Sequence, residues 1–536
     1  MKKRRWLTLA MILILAAAMT VFPAMAEEKA TVYENRDYRY IFLADGTAEI
    51  KKYIGTAKSP SVPAQLAGHA VTSIGDRAFY WCRSLTSITL PDSVTSIGDE
   101  AFSFCDSLKS ITLPDGLTSI GNGAFSSCDS LTSITLPDSV TSIGDGAFSS
   151  CDSLASITLS DGLTSIGANP FKFCKKLTQI KISPDHPTLA AINGVLFNKA
   201  EKKLICYPCA FTQKSYAVPN GILSIGDSAF SGCDFLSSIT LPNSLTNIGS
   251  NAFSSCDSLT SITLPDSLTS IGDSAFSYCD SLTSITLPSS LASTGDSAFS
   301  YCDSLTSITL PDGLTSIGNG AFSTCGSLTS ITLPDSLTAI GNEAFFDCKS
   351  LTSITLPNSL TSIGYRAFYS CDSLTSITLP DSLTAIGTNP FEGCNKLTQI
   401  KVSSDHPAFA VIDGVLFDKT EKKLICYPCA FTQESYAVPN DVTSIGEQAF
   451  DSCDALSSIT LPDSLTSIEG SAFFCCGSLS SITLPDSLTS IEGDYAFYGC
   501  SDALVFTVAR GSWAASWCEK NGMNYAYPDS LDWLSN

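Results

Sequence analysis

Residues 131–151 read LTSITLPDSVTSIGDGAFSSC, and this stretch decides the architecture because nearly the same text recurs along most of the chain. Ile134 and Leu136 alternate with Ser133 and Thr135, which predicts a short strand with one apolar and one polar face. Pro137 and Asp138 end that strand, since proline has no amide proton to give to a ladder. A second apolar pair, Val140 and Ile143, predicts another short strand before Gly144. Ala147, Phe148 and Cys151 then fall at the spacing of one helical turn, so the expected unit is strand, turn, short strand and helical turn.

Working outward, Cys82, Cys105, Cys128, Cys151 and Cys174 stand 23 residues apart, as do the eight cysteines from Cys233 to Cys394. The series closes on Cys453, Cys476 and Cys500, with a last step of 24. A lone 23-residue coil cannot bury its apolar side, whereas stacked coils can, each Leu, Ile, Phe and Cys resting on its equivalent. With about five aliphatics and one Phe per unit, each worth roughly 1.5–3 kcal/mol when buried, stacking is strongly favoured. The fold class expected is a repeat solenoid with a curved parallel sheet and capped ends.

The text LxxIxLPxxLxxIgxxAFxxC resembles that of BspA-like leucine-rich-repeat proteins, a family of bacterial surface proteins. The resemblance covers nearly all of the chain beyond residue 26 and implies a leucine-rich-repeat fold used for recognition. One departure stands out. The common leucine-rich consensus carries asparagine after the strand, but Ser93, Gly116 and Ser139 stand just past the proline here. Hydrogen bonding at that bend must come from another source.

Two units are expanded, spanning 175–232 and 395–452, with 59 residues between Cys174 and Cys233 and again between Cys394 and Cys453. They are near copies: the text from Leu177 recurs 220 residues later from Leu397, so a block of coils was duplicated whole. Gly194 to Phe197 and Lys203 to Tyr207 read as a hairpin within the first insert. The remaining boundaries follow from composition. Residues 1–26 read as a signal peptide, with Lys2, Lys3, Arg4 and Arg5, an apolar run from Trp6 to Ala18, and Ala24-Met25-Ala26 as cleavage site. Residues 27–70 are expected to form a β-hairpin cap, 71–508 the repeats, and 509–536 a carboxyl-terminal cap closed by a helix from Gly511 to Gly522. A secreted or cell-surface location follows, with no membrane insertion once the signal is removed.

The formal charge of −22 repels nucleic acid and anionic lipid, so neither is an expected partner. Among titratable motifs, the two CYPC sequences, Cys206 to Cys209 and Cys426 to Cys429, have redox or metal spacing. A local structural role is expected for them, as disulfides or free thiols, with no metal and no cofactor. The repeat cysteines are expected to be free, apolar in behaviour and buried. His186 and His406 occupy equivalent Asp-His-Pro turns in which the aspartate is expected to cap backbone amides; no nucleophile accompanies them, and no catalytic residue is expected.

The polar face of the first strand is the principal candidate for binding. Ser87 and Thr89, Ser110 and Thr112, Ser133 and Thr135, Ser261 and Thr263, and Ser284 and Thr286 belong to two uncharged hydroxyl ladders. Three uses are open: strand-compatible residues bonding along their column, a face for an extracellular protein or glycan, or a template for ordered water. Surface aromatics such as Tyr80, Trp81, Phe104, Tyr278, Tyr301 and Tyr369 mark a second candidate edge. The expected function is non-catalytic, adhesin-like recognition by a monomer; the alternative is a structural spacer without a specific ligand, and a redox or hydrolytic enzyme is the least favoured. Thr294 replaces the core isoleucine of its coil, and Thr294→Ile is expected to raise stability.

Overall fold

The computed structural model describes residues 31–493 and 495–528, so the signal reading and the last eight residues lie outside the described part. Most regular coils contribute a three-residue strand such as Ser110–Thr112 and a two-residue strand such as Ser119–Ile120, but in the coil of 131–151 the strand expected around Ile134 is reduced to one isolated bridge, Thr135 with Thr158. Strands of each kind pair in parallel with their equivalents one repeat away, Ser87 with Ser110 and Ser96 with Ser119. The result is a solenoid with two sheet faces and a third face made of turns. The leucine, isoleucine, alanine, phenylalanine and cysteine columns fill its interior. Phe rings stack coil on coil, Phe276 and Phe299 with centroids 5.4 Å apart and planes 1° from parallel.

The third face departs from expectation. AFSSC forms successive turns, not a helical turn, and the described residues contain a single α-helix, Trp513–Asn521. The physical reason lies in where alternate amides go. Ala124, Ser126 and Cys128 donate to carbonyls three residues back, whereas Gly123, Phe125 and Ser127 donate out of the coil to Asp145, Ala147 and Ser149. A helix would keep all of these within the segment. Left-handed residues, Gly146 at φ 54° and Ser150 at φ 56° in the next coil, make the alternation possible. The turn face is thereby a third inter-coil ladder.

The bends are bonded by side chains at the three corners. Past the proline, serine hydroxyls donate to the carbonyl of the preceding coil, as Ser139 to Leu117 (2.5 Å) and Ser359 to Leu337 (2.6 Å). This answers the missing asparagine of that bend. Before the second strand, Thr118 Oγ1 donates to Thr95 carbonyl at 2.9 Å, and Thr141 repeats the bond on Thr118. After the second strand an Asx ladder runs upward: Asp99 Oδ1 accepts from Asn122 amide at 2.7 Å, and Asn122 Oδ1 from Asp145 amide at 2.7 Å. Glycine is favoured just before it, since a Cβ on Gly121 would stand 2.6 Å from the Asp99 amide; Glu469 and Glu492 take that position in the last coils.

At the amino end Tyr38–Phe42 and Ala48–Tyr53 form the expected antiparallel hairpin, which continues in parallel into His69–Ile74. At the other end Val505–Thr507 extends the three-residue ladder and a strand absent from the sequence reading, Tyr525–Ala526, pairs with it. The closing helix starts at Ser512, whose Oγ accepts from Ala515 amide at 3.1 Å, and ends on left-handed Gly522. Each insert contains the expected hairpin, Val195–Asn198 with Lys203–Cys206, plus a third strand, Leu189–Ile192. The hairpin feeds back into the short-strand sheet through Ser224–Ile225.

Thr294 is buried at 5% exposure, and its Oγ1 accepts the Gly318 amide at 2.9 Å. The corresponding amide elsewhere goes to the isoleucine carbonyl, as Gly121 to Ile97. At this coil the short-strand ladder shrinks to one bridge, Ser293 with Ser316. Thr294→Ile restores both the backbone partner and the apolar column, and is expected to stabilise by about 1 kcal/mol in urea unfolding; an unchanged or lower midpoint contradicts this register. Ser359→Ala, by loss of its corner bond, is expected to cost about 1 kcal/mol in the same measurement, against nearly nothing for Thr263→Ala on the sheet face.

Candidate functional site

The three-residue strands place Ser110, Thr112, Ser261, Thr263, Ser284 and Thr286 outward and exposed around a buried isoleucine in each coil, and Ser133 and Thr135 are exposed in the same way around Ile134, where only an isolated bridge at Thr135 replaces the strand. Thr89 is likewise exposed and Ser87 half-buried. Shallow troughs run across this face. One is lined by Ser110, Thr112, Ser133 and Thr135 with Asp115 and Pro137, and another by Ser261, Thr263, Ser284 and Thr286 with Asp266 and Pro288. The expected bonding along the column falls elsewhere. Thr260 and Thr283, one residue before these strands, donate to carbonyls of the coil below, at 3.3 and 3.4 Å. Among the described residues, the ten hydroxyls singled out make no side-chain bond to protein except Ser87, which donates to Ser59 Oγ at 2.9 Å. The sheet therefore presents its hydroxyls to solvent.

The aromatic edge lies on the turn face. Its rings meet across coils: Tyr278 and Tyr301 stack at 4.4 Å, and Phe346 and Tyr369 at 4.6 Å. Arg83 lies 4.0 Å above the Trp81 ring, and Trp81 packs on Phe104 at 5.3 Å. Much of each ring face is thus spent on a neighbour.

The histidines are structural, though not as expected. His406 is fully buried; its Nδ1 accepts from the amides of Ala408 (3.2 Å) and Phe409 (3.1 Å), and its Nε2 donates to Pro380 carbonyl at 3.0 Å. The imidazole, not Asp405, caps the turn, and the aspartate is exposed. His186 Nδ1 makes the same two bonds, while its Nε2 has no partner, Ser160 standing where the second copy has Pro380. The CYPC cysteines are free thiols, Cys206 and Cys426 buried, Cys209 and Cys429 half-buried, with Cys209 Sγ donating to Cys174 carbonyl at 3.4 Å. Among the described residues no group of three or more His, Cys, Asp or Glu side chains is placed to hold a metal.

Two features escaped the sequence. The inserts form twin clefts at equivalent positions, one around Lys203 with Asp145, Glu201 and Asp227, the other around Lys423 with Glu421, Glu447 and Glu469. Lys423 Nζ bonds Glu421 (3.0 Å) and Glu469 (2.9 Å). The second feature occurs in one copy only. Glu392, 6% exposed, holds Arg366 through two bonds of 2.9 and 3.2 Å beside Asp451, where the first copy has Lys172, Gly146 and Ser231. Burial and the adjacent Asp451 push the Glu392 carboxyl up to about 7, against the pull of Arg366.

The BspA type leucine rich repeat region matches residues 72–202, 205–329, 315–433 and 425–511. The chain belongs to the BspA-type leucine-rich repeat family. Its fold is similar to that of a leucine-rich repeat protein from Eubacterium ventriosum, 26% identical, with a TM-score of 0.55 over 63% of this chain and 94% of the other. Matches also extend to a leucine rich cell surface protein from Faecalibacterium prausnitzii (31% identity, TM-score 0.45, 61% and 95% covered) and to the pneumococcal vaccine antigen PcpA (21%, 0.44, 65% and 94%). No curated protein matches the chain. Among the described residues no helix is long and apolar enough to cross a membrane.

A carboxyl whose folded pKa lies above its unfolded value binds its proton more tightly when folded. Its contribution is full below the ordinary glutamate value and is lost as pH rises through about 7. Urea midpoints are therefore expected to fall between pH 5 and pH 8, and Glu392→Gln to flatten that fall; equal slopes in both chains contradict the burial of this pair.

Proposed function

We propose that this BspA-type solenoid is a non-catalytic, adhesin-like recognition protein that engages an extracellular protein or glycan through its Ser/Thr sheet. The observation that carries the reading is the set of exposed hydroxyls left without protein partners, repeated coil after coil and gathered along shallow troughs. Each offers a donor and acceptors at a regular interval. A uniform array favours many weak contacts summed along the rod over one deep pocket. The secreted or cell-surface location rests on the basic, apolar and small-residue order of residues 1–26. A spacer without a ligand is the second reading, and the near absence of interruptions in the hydroxyl ladder favours it.

The Glu27–Asn536 chain on glycan and matrix-protein arrays separates the two. Binding is expected, reduced at least tenfold by Thr263→Arg with Thr286→Arg and unaffected by Tyr278→Ser with Tyr301→Ser. Silence on every target overturns the recognition reading, and loss confined to the tyrosine variant moves the contact to the turn face.

A further inference from the structure

The turn face carries its own cations at some coils and none at others. In the first coil the residue after the repeat cysteine is Arg83, whose guanidinium lies 4.0 Å above the Trp81 ring and 3.5 Å from Asp106 on the next coil. Lys175 and Lys349 hold the same position; the first pairs with Asp152 at 2.8 Å and the second with Asp347 at 3.1 Å. The columns just before and just after the cysteine therefore meet, and one cation at this edge serves a ring and a carboxylate together.

Between Lys214 and Lys349 the chain supplies no such cation. That stretch holds 12 Asp and Glu residues and neither Lys nor Arg. Asp257, Asp280 and Asp303 follow the cysteines of three successive coils; all are exposed, and among the described residues their carboxylates make no ion pair and accept no hydrogen bond. Partial burial, and after it the neighbouring carboxylates, raise the Asp257 and Asp280 carboxyls above the ordinary value. Just before the same cysteines the column reads Ser255, Tyr278, Tyr301 and Thr324. The two tyrosines, 47% and 41% exposed, stack on each other at 4.4 Å. Short side chains stand in the column beyond each, so the outer face of either ring has no aromatic neighbour.

We propose that this strip, Tyr278 and Tyr301 with Asp257, Asp280 and Asp303, is a docking surface for an extended, arginine-rich segment of a partner protein. Charge complementarity selects that occupant, and the arrangement at Arg83 shows how it seats. A guanidinium on the outer face of Tyr278 stands between the coils of Asp257 and Asp280, about 4.8 Å apart. A second, on the outer face of Tyr301, stands beside Asp303. Each supplies from outside what Arg83 supplies within the chain. Arginine is preferred to lysine because its planar group stacks on a ring while its N–H fork reaches a carboxylate. The acidic field of the whole stretch speeds encounter with a basic segment and turns acidic ones away. The strip lies on the turn face and is independent of the hydroxyl sheet, so either surface can be lost without the other.

A fluorescein-labelled eight-residue peptide of alternating arginine and glycine, titrated with the Glu27–Asn536 chain at about 50 mM salt, where screening is weak, tests the assignment by fluorescence anisotropy. Saturable binding is expected, weakened at least tenfold by Asp280→Asn with Asp303→Asn and at least threefold by Tyr278→Ser with Tyr301→Ser. Asp312→Asn with Asp335→Asn removes the same charge from the same stretch away from the strip, and is expected to change binding less than twofold. The matching lysine and glycine peptide is expected to bind at least threefold more weakly. All six substituted side chains are exposed, so the variants keep the fold. Absence of binding, equal weakening by the two aspartate pairs, a tyrosine variant that binds as the unsubstituted chain does, or equal binding of the lysine peptide overturns the docking surface.

Discussion

Everything in this molecule depends on one constraint: each residue of a regular coil must sit on its own equivalent in the next. Parallel pairing of Ser87 with Ser110 and of Ser96 with Ser119 sets that register on two faces, and the alternate amides of the turn face set it on the third. Once equivalents superpose, every column is a chain of identical contacts. Phe meets Phe, Thr hydroxyl meets Thr carbonyl, and Asp carboxylate meets the amide of the next Asx residue. A nearest-neighbour sum of such interfaces holds the rod, with no central core to organise it. The same constraint explains why glycine recurs before the Asx ladder: the amide of the preceding coil stands close to where a Cβ would be.

The period, the two strand types, the buried columns and the duplicated inserts were legible in the sequence because each is a matter of spacing. What was illegible depends on where hydrogen bonds go. Ala147, Phe148 and Cys151 have helical spacing, and nothing in their identity reveals that alternate amides leave the coil. The corner serines looked like a gap where asparagine was missing, yet their hydroxyls reach the carbonyl below. For the histidine turns the chemistry was nearly right and the atom wrong, since imidazole nitrogen and aspartate oxygen are both short-range acceptors. The hydroxyl ladder was found by its Ser-x-Thr text, but only the structure separates its free hydroxyls from the bonded threonines one residue earlier.

Departures from uniformity are therefore the informative places. The two inserts interrupt both sheets and open clefts that the regular coils lack, and the two copies differ in that only the second carries Glu392, Arg366 and Asp451. Thr294 shows the opposite case, a hydroxyl absorbed into the core by taking over a backbone partner. A rod built of interchangeable interfaces tolerates such local exceptions because each is felt only by the coils next to it.

The superposition of equivalents has a genetic corollary. Excising one coil between matching positions, or copying one in, brings together two surfaces already complementary. In-frame recombination between nearly identical repeats thus yields a shorter or longer rod that folds by the same rules. The 220-residue duplication is such an event fixed in the chain, and reach is the property this lineage can change most easily.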